Sequence, residues 1–258
     1  MNESPYGYWL PIDISTHGYQ IDQLIALLHW FMGGLFVFWS AFFIYCLIRF
    51  RHREGHQASY RLISGKFSKV LEVGVIIVES VLLIGFSIPI WASLKHDFPD
   101  AKEALTVHIV AEQFSWNIHY PGRDGVFGKR DVQLTSPSNP LGLDRKDPYG
   151  KDDITSINVF HMVVNKPVIV HLSSKDVIHS FFIPVMRIKQ DAIPGSSIPI
   201  WFEATQTGKF DIACAQLCGL GHYRMRGEVS IDTQEAFDQW MLQKESESEQ
   251  ASSEETHQ

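Results

Sequence analysis

The chain has 258 residues and a formal net charge of −7, with 29 acidic against 22 basic residues. That balance gives no support to a nucleic-acid partner. Its three cysteines are too few for a disulfide framework.

The first 22 residues contain no Lys or Arg and three acids, Glu3, Asp13 and Asp22. Residues 23–49 follow as an apolar run, whose stretch 24–48, "LIALLHWFMGGLFVFWSAFFIYCLI", has no charged residue. At ~1.5 Å per residue it can cross a hydrocarbon core of ~30 Å with some tilt. Within it, Cys46 is expected to pack as a small hydrophobe. His29, near the outer end, is expected to contact a neighbouring helix. A basic loop, 50–69, comes next: Arg49 at its edge, then Arg51, Arg53, Arg61, Lys66 and Lys69 against the single acid Glu54. A second apolar run covers 70–95 and carries Glu72, Glu79 and Pro89. Positive charge on the short loop places it in the cytoplasm and both termini outside. No basic segment precedes the first run, so it is expected to remain as an anchor. Pro89 is expected to kink the second helix. Glu72 and Glu79 are seven residues apart, close to two helical turns, so they share a face ~10 Å apart along the axis.

From residue 105 to 235 the pattern changes to short runs rich in Val, Ile, Phe and Trp, separated by Gly, Pro, Asn and Asp. The predicted strands are "LTVHIVAEQF", "SWNIHY", "SINVFHMVV", "PVIVHLSS", "HSFFIPV", "IPIWFEA", "KFDIACAQ" and "GEVSID". Their spacing predicts a sandwich or Greek-key barrel. A polar segment at 135–153 interrupts them and is expected to be an ordered surface excursion. The acidic tail, 244–258, with five Glu from residue 245 onward and no basic residue there, is expected to be disordered.

Residues 214–225 read "CAQLCGLGHYRM". Cys214, Cys218, His222 and Met225 follow one another at spacings of four, four and three. Gly219 and Gly221 break any helix, so a tight loop can turn these side chains inward. Thiolates with imidazole suit zinc, copper or iron–sulfur sites, and the soft thioether favours copper. A one-copper blue site uses one Cys, two His and a weak Met. The second Cys suggests a second ion, since thiolates can bridge. The second His is found upstream in "DVIHSFFIP", as His179. A disulfide with incidental neighbours is the plain alternative. His108, His119, His161 and His171 lie in strand-like runs and read as hydrogen-bonded structural residues.

Together the paired spans with their basic loop, "VIHSFFIP…KQDAIPG" and "CAQLCGLGHYRM" resemble subunit II of the haem–copper cytochrome c oxidases, over nearly the whole chain. The resemblance implies a transmembrane helix hairpin followed by an all-β cupredoxin-like Greek-key barrel with a dinuclear copper centre, CuA. Cys214 and Cys218 would bridge the two coppers, with His179 and His222 as terminal ligands. Met225 would be a weak ligand to one copper and the Gln216 backbone carbonyl to the other. Glu72 matches the family's glutamate at the mouth of a proton-uptake pathway. Phe114 and Trp116, in "EQFSW", fall where electrons enter in the family, with Phe114 replacing the usual first tryptophan. Gln216 stands where a glutamate usually reaches a magnesium ion, which puts that magnesium in doubt. Val75, Ile76, Glu79 and Ser196 depart from the usual residues as well, marking a divergent branch. The implied function is reception of electrons from an external cytochrome c-type donor and their transfer to haem in subunit I. Oxygen would be reduced there to water, coupled to proton translocation. Subunit III is a further expected partner, and the expected location is the cell membrane with the copper domain outside. No C-x-x-C-H motif is present, so the donor is a separate protein. A CuA-type nitric oxide reductase subunit and a membrane-anchored copper carrier are the alternatives.

Overall fold

The computed structural model describes residues 10–55, 57 and 65–255. The first nine residues, much of the basic loop including Arg61, and the last three residues of the expected tail lie outside that range. The chain forms two compact units, one comprising Tyr19–Asp97 and the other the residues before and after it.

The helical unit begins with α1, Gly18–Arg49. The second apolar run is α2 (Lys66–Leu82), a π-helical turn (Leu83–Ser87) and α3 (Ile88–His96). Both runs are long and apolar enough to cross a membrane. Large apolar side chains such as Trp30, Phe36 and Ile84 are exposed along them, as hydrocarbon solvent requires. Around Pro89 the helix widens. Proline has no N–H and its ring crowds the carbonyl four residues earlier. The π turn makes room: the Ile88 N–H reaches the Leu83 carbonyl, five residues back. The Ser87 hydroxyl also donates to the Leu82 carbonyl, at 3.3 Å. Glu72 and Glu79 both lie on α2 with exposed side chains. His29 finds a partner in its own helix, with Nδ1 2.8 Å from the Ile25 carbonyl.

The second unit is a β-sandwich. Its strands are β1 (Leu105–Glu112), β2 (Ser115–Tyr120), β3 (Ile154–Ile157), β4 (Val159–Val163) and β5 (Pro167–Ser174). They continue with β6 (His179–Ile183), β7 (Ile188–Ala192), β8 (Ile198–Glu203), β9 (Gly208–Cys214) and β10 (Arg226–Asp232). One sheet has the order β3-β2-β1-β5-β8 and the other β4-β10-β9-β6-β7. The β1–β5 and β4–β10 pairs are parallel, and the remaining pairs antiparallel. Side chains at alternate positions meet between the sheets. Val107, Ile109, Trp116, Ile118 and Leu172 come from the first sheet, and Phe160, Met162, Phe181, Ile183 and Val229 from the second.

Two features depart from the predicted strands. The run 156–164 is not one strand, because Asn158 takes a left-handed conformation (φ 61°) and splits it. Asparagine tolerates that conformation better than most residues. The halves β3 and β4 therefore join different sheets, and Asn158 ties them. It exchanges two 2.8 Å hydrogen bonds with the Trp116 main chain and accepts the Glu228 N–H at 2.7 Å. Strand β7, "IKQDA", was not foreseen: an edge strand with three polar residues carries little β signal.

The N-terminal segment is also part of the sandwich. Ile14 is fully buried, its N–H donating to Val185 and its carbonyl accepting from Thr205. Arg187 donates to the Pro11 and Ile12 carbonyls. At the other end, the expectation of a disordered tail from 244 fails: α4 runs over Gln234–Glu255. Its first turns are nucleated by packing. Phe237 is buried beside Tyr120, and Trp240 stacks on the His161 ring at 4.1 Å. Once nucleated, helix extends at little cost through residues of high propensity. Gln243–Glu247 and Lys244–Glu247 bonds add support.

The 135–153 excursion is ordered, as expected, by its own short polar side chains. Asn139 exchanges bonds with the Leu143 main chain, and Arg145 donates to the Gly150 and Asp153 carbonyls. Asp153, fully buried, accepts from His119 at 2.6 Å, Gly128 at 2.8 Å and Gly122 at 3.2 Å.

Candidate metal centre

Strand pairing brings the distant His179 to the cysteines. His179 opens β6 and Cys214 closes β9, and the two strands pair at Phe181 and Cys214. The chain then loops out and returns as β10, whose Arg226 pairs with Ala213. The loop is held at both ends. Ala215 N–H donates to the Ser180 carbonyl (3.0 Å), and Cys214 N–H to Met225 (3.3 Å). A short 3-10 turn at His222–Arg224 aims His222 and Met225 back toward the cysteines.

The result is a compact soft-donor cluster. Ligand atoms of His179, Cys214 and Cys218 all lie within 4.8 Å of one another. The two Sγ atoms are 3.8 Å apart and are not disulfide-bonded. His179 Nδ1 is 3.2 Å from Met225 Sδ and 4.0 Å from Cys214 Sγ. Cys218 Sγ is 3.6 Å from His222 Nδ1 and 3.8 Å from Met225 Sδ. The Gln216 carbonyl is 3.1 Å from Cys214 Sγ, while its neutral side chain belongs to an exposed residue. Every residue expected as a copper ligand thus converges here.

Electrostatics favour bound cations. Burial pushes the Cys214 thiol up, but the His179 imidazole and the main chain of Ser180 and Gln216 outweigh it and bring it to about 6. Burial and the neighbouring Cys214 charge push Cys218 to about 11. Burial alone would lower His179; Cys214 and Asp176 instead raise it. Two thiols beside two imidazoles gain most when metal replaces their protons.

Two positioning groups escaped the sequence reading. Asp176 Oδ1 accepts from His179 Nε2 at 2.9 Å, leaving Nδ1 facing the sulfurs. This is the carboxylate–histidine arrangement common behind metal ligands. An Asp three residues before the ligand His was the available signal. Gln113 donates its side-chain amide to the Cys218 carbonyl, and a lone Gln on a hairpin turn gives no such signal.

Leu217, within the loop, is 76 % exposed; Phe181, Met225 and Cys218 are the buried wall of the centre. Trp116, from the segment that the resemblance places at electron entry, is fully buried, edge-on to His179 at 6.3 Å and to Phe181 at 5.4 Å. Phe114 is half-buried over the loop. Glu72 belongs to the helical unit. His108, His119, His161 and His171 stay outside the donor cluster; His119 and His161 pair instead with Asp153 and Asp232.

Residues 105–234 match the family model for the periplasmic domain of cytochrome c oxidase subunit II. The chain is 37 % identical over 242 residues to the alternative cytochrome c oxidase subunit 2 of Bradyrhizobium diazoefficiens, covering 93 % of this chain and 84 % of that one. The chain belongs to the cytochrome c oxidase subunit II family. Subunit 2 of Cereibacter sphaeroides is 29 % identical over 245 residues, covering 89 % and 77 % of the two chains. The solved periplasmic domain of subunit II from Bradyrhizobium japonicum is 30 % identical, covering 55 % of this chain and 94 % of that one, with a TM-score of 0.41. As a member of the subunit II family, the chain is part of a haem–copper oxidoreductase complex of the membrane, with an extracytoplasmic copper domain. Copper is the family's metal, and two thiols, two imidazoles and a thioether fit it.

Proposed function

We propose that this chain receives electrons for the oxidase from an external cytochrome c-type donor and delivers them to haem in subunit I, for reduction of oxygen to water coupled to proton translocation. The observation that carries this reading is the gathering of His179, Cys214, Cys218, His222, Met225 and the Gln216 carbonyl into one connected cluster. Copper held there by these two thiolates, two imidazoles and the thioether would supply a one-electron relay. The protein's part is to keep those ligands still. The β9–β10 pairing fixes the loop ends, Asp176 orients His179, and Phe181 excludes water from the inner side. Leu217, Leu220 and Tyr223 form an exposed apolar rim beside the centre, which supports docking by a protein partner. Buried Trp116, against His179, would lie on an internal route rather than at the docking surface.

In the membrane, the basic loop would face the cytoplasm and both termini the exterior. Glu72, near the loop on α2, would take up protons for subunit I. A carboxylate inside a span is costly unless it serves such a path or faces a partner.

The test is electron paramagnetic resonance on the full chain, loaded with copper in detergent. Two coppers per chain and hyperfine coupling to two equivalent nuclei are expected. A single-copper spectrum, or preferential zinc binding, would overturn the reading. Gas uptake by the intact complex, oxygen against nitric oxide, then identifies the terminal acceptor.

A further inference from the structure

The turn between β1 and β2 grips the metal loop from outside. Gln113 Nε2 donates to the Cys218 carbonyl at 2.5 Å. The Gln113 main-chain N–H donates to Asp176 Oδ2 at 2.7 Å, and the other oxygen of that carboxylate holds His179. The Phe114 ring lies against the loop's two glycines. A methyl group on Gly221 would stand 2.4 Å from that ring. One on Gly219 would stand 2.6 Å from Gln113 Nε2 and 3.2 Å from the ring, and Gly219 also holds φ at +138°. Glycine is required here both for backbone conformation and for this close approach. A two-residue turn therefore touches both halves of the ligand set: His179 through Asp176, and the Cys218–His222 segment through an amide and a ring.

Its chemistry is not that of ordinary core packing. Gln113 is an exposed residue, yet its amide reaches inward to a ligand's own carbonyl. The loop it meets is rich in glycine, and so would otherwise lose much conformational freedom when metal orders it. A contact that orders the loop beforehand removes that cost from the binding step.

We propose that Gln113 and Phe114 form a clamp of positioning residues that holds Cys218 and His222 ready for metal, in the copper-free chain as well as the loaded one. This rests on the copper reading above and adds a role for Phe114 separate from electron transfer. The clamp predicts slow copper release and two equivalent copper environments. It also accounts for glycine at 221, where a Cβ would stand 2.4 Å from the Phe114 ring.

The test uses the full chain in detergent, with Gln113→Glu, which keeps shape but removes the amide donor, and Phe114→Leu, which removes the ring. Circular dichroism and tryptophan fluorescence check the fold. Copper release to a chelator should be on the order of ten-fold faster in each, as for other groups that support metal ligands. The paramagnetic spectrum should lose the equivalence of the two nuclei, and Phe114→Tyr should restore both. Gly221→Ala approaches the clamp from the loop side. Its effect should be smaller in a Phe114→Ala background than in the wild type, a coupling that independent sites do not show. Release within two-fold of wild type in both Gln113→Glu and Phe114→Leu, with an additive Gly221→Ala, overturns the clamp alone. A wild-type chain that holds no copper pair overturns the copper reading first and the clamp with it.

Discussion

Asp153 is the most exposing test of how the sandwich is held. Its side chain is fully buried, paired with the equally buried His119 at 2.6 Å, and it also accepts the Gly128 and Gly122 N–H groups. Asp153→Ala leaves three donors without an acceptor inside the protein. An orphaned buried donor costs about 1–3 kcal/mol. Water entering under the excursion offsets part of this, so a loss of about 3–4 kcal/mol is expected. Asp153→Asn keeps the shape and one acceptor, and should lose about half as much. Urea unfolding of the metal-free chain in detergent, followed by tryptophan fluorescence, measures both. Limited proteolysis should cut the Asp153→Ala chain between residues 121 and 153 first. If Asp153→Ala costs less than about 1 kcal/mol, or its excursion is cut no faster, the reasoning that this carboxylate pins the excursion to β2 is refuted.

Other predictions concern the centre and its pH range. Asp176→Ala frees His179 to rotate and should weaken copper affinity by about 10–100-fold, measured by chelator competition; a change under two-fold would show that the β6 backbone alone orients the ring. Met225→Leu conserves volume, so the sandwich should unfold within about 1.5 kcal/mol of wild type. Its reduction potential should shift, because a weak thioether ligand tunes the potential of such copper sites; an unchanged voltammogram would remove Met225 from the ligand set. His108 is held neutral by burial first, then by Arg130, His119 and His171, which bring it down to about 3. The unfolded chain takes up that proton near 6.5, so stability should fall as pH drops from about 6.5 toward 3, by at most about 1.4 kcal/mol per unit. His17, lowered mainly by burial, adds to the same slope. His108→Phe, which keeps a ring against Phe127, should flatten part of it in urea titrations between pH 7 and 4.5.

Much of this protein was legible in its sequence because the relevant signals are local. An uncharged run at 24–48 can only be accommodated where water is absent, and alternating apolar residues after 105 can only pack as half-buried strands. "CAQLCGLGHYRM" places soft donors at spacings a loop can converge, and the thioether narrows the metal. The tertiary structure decided what depends on contacts between distant segments. Asn158 divides one apparent strand between two sheets, Ile14 joins a sandwich that begins ninety residues later, and Trp240 stacked on His161 starts a helix where composition alone suggested disorder. The same holds at the centre. Donor identity is a property of side chains, and is written in the sequence. Which Asp orients His179, which Gln reaches Cys218, and whether Leu217 faces water depend on strand register and loop path. Register is fixed by burying one face of every strand at once, a condition that only the assembled sandwich imposes.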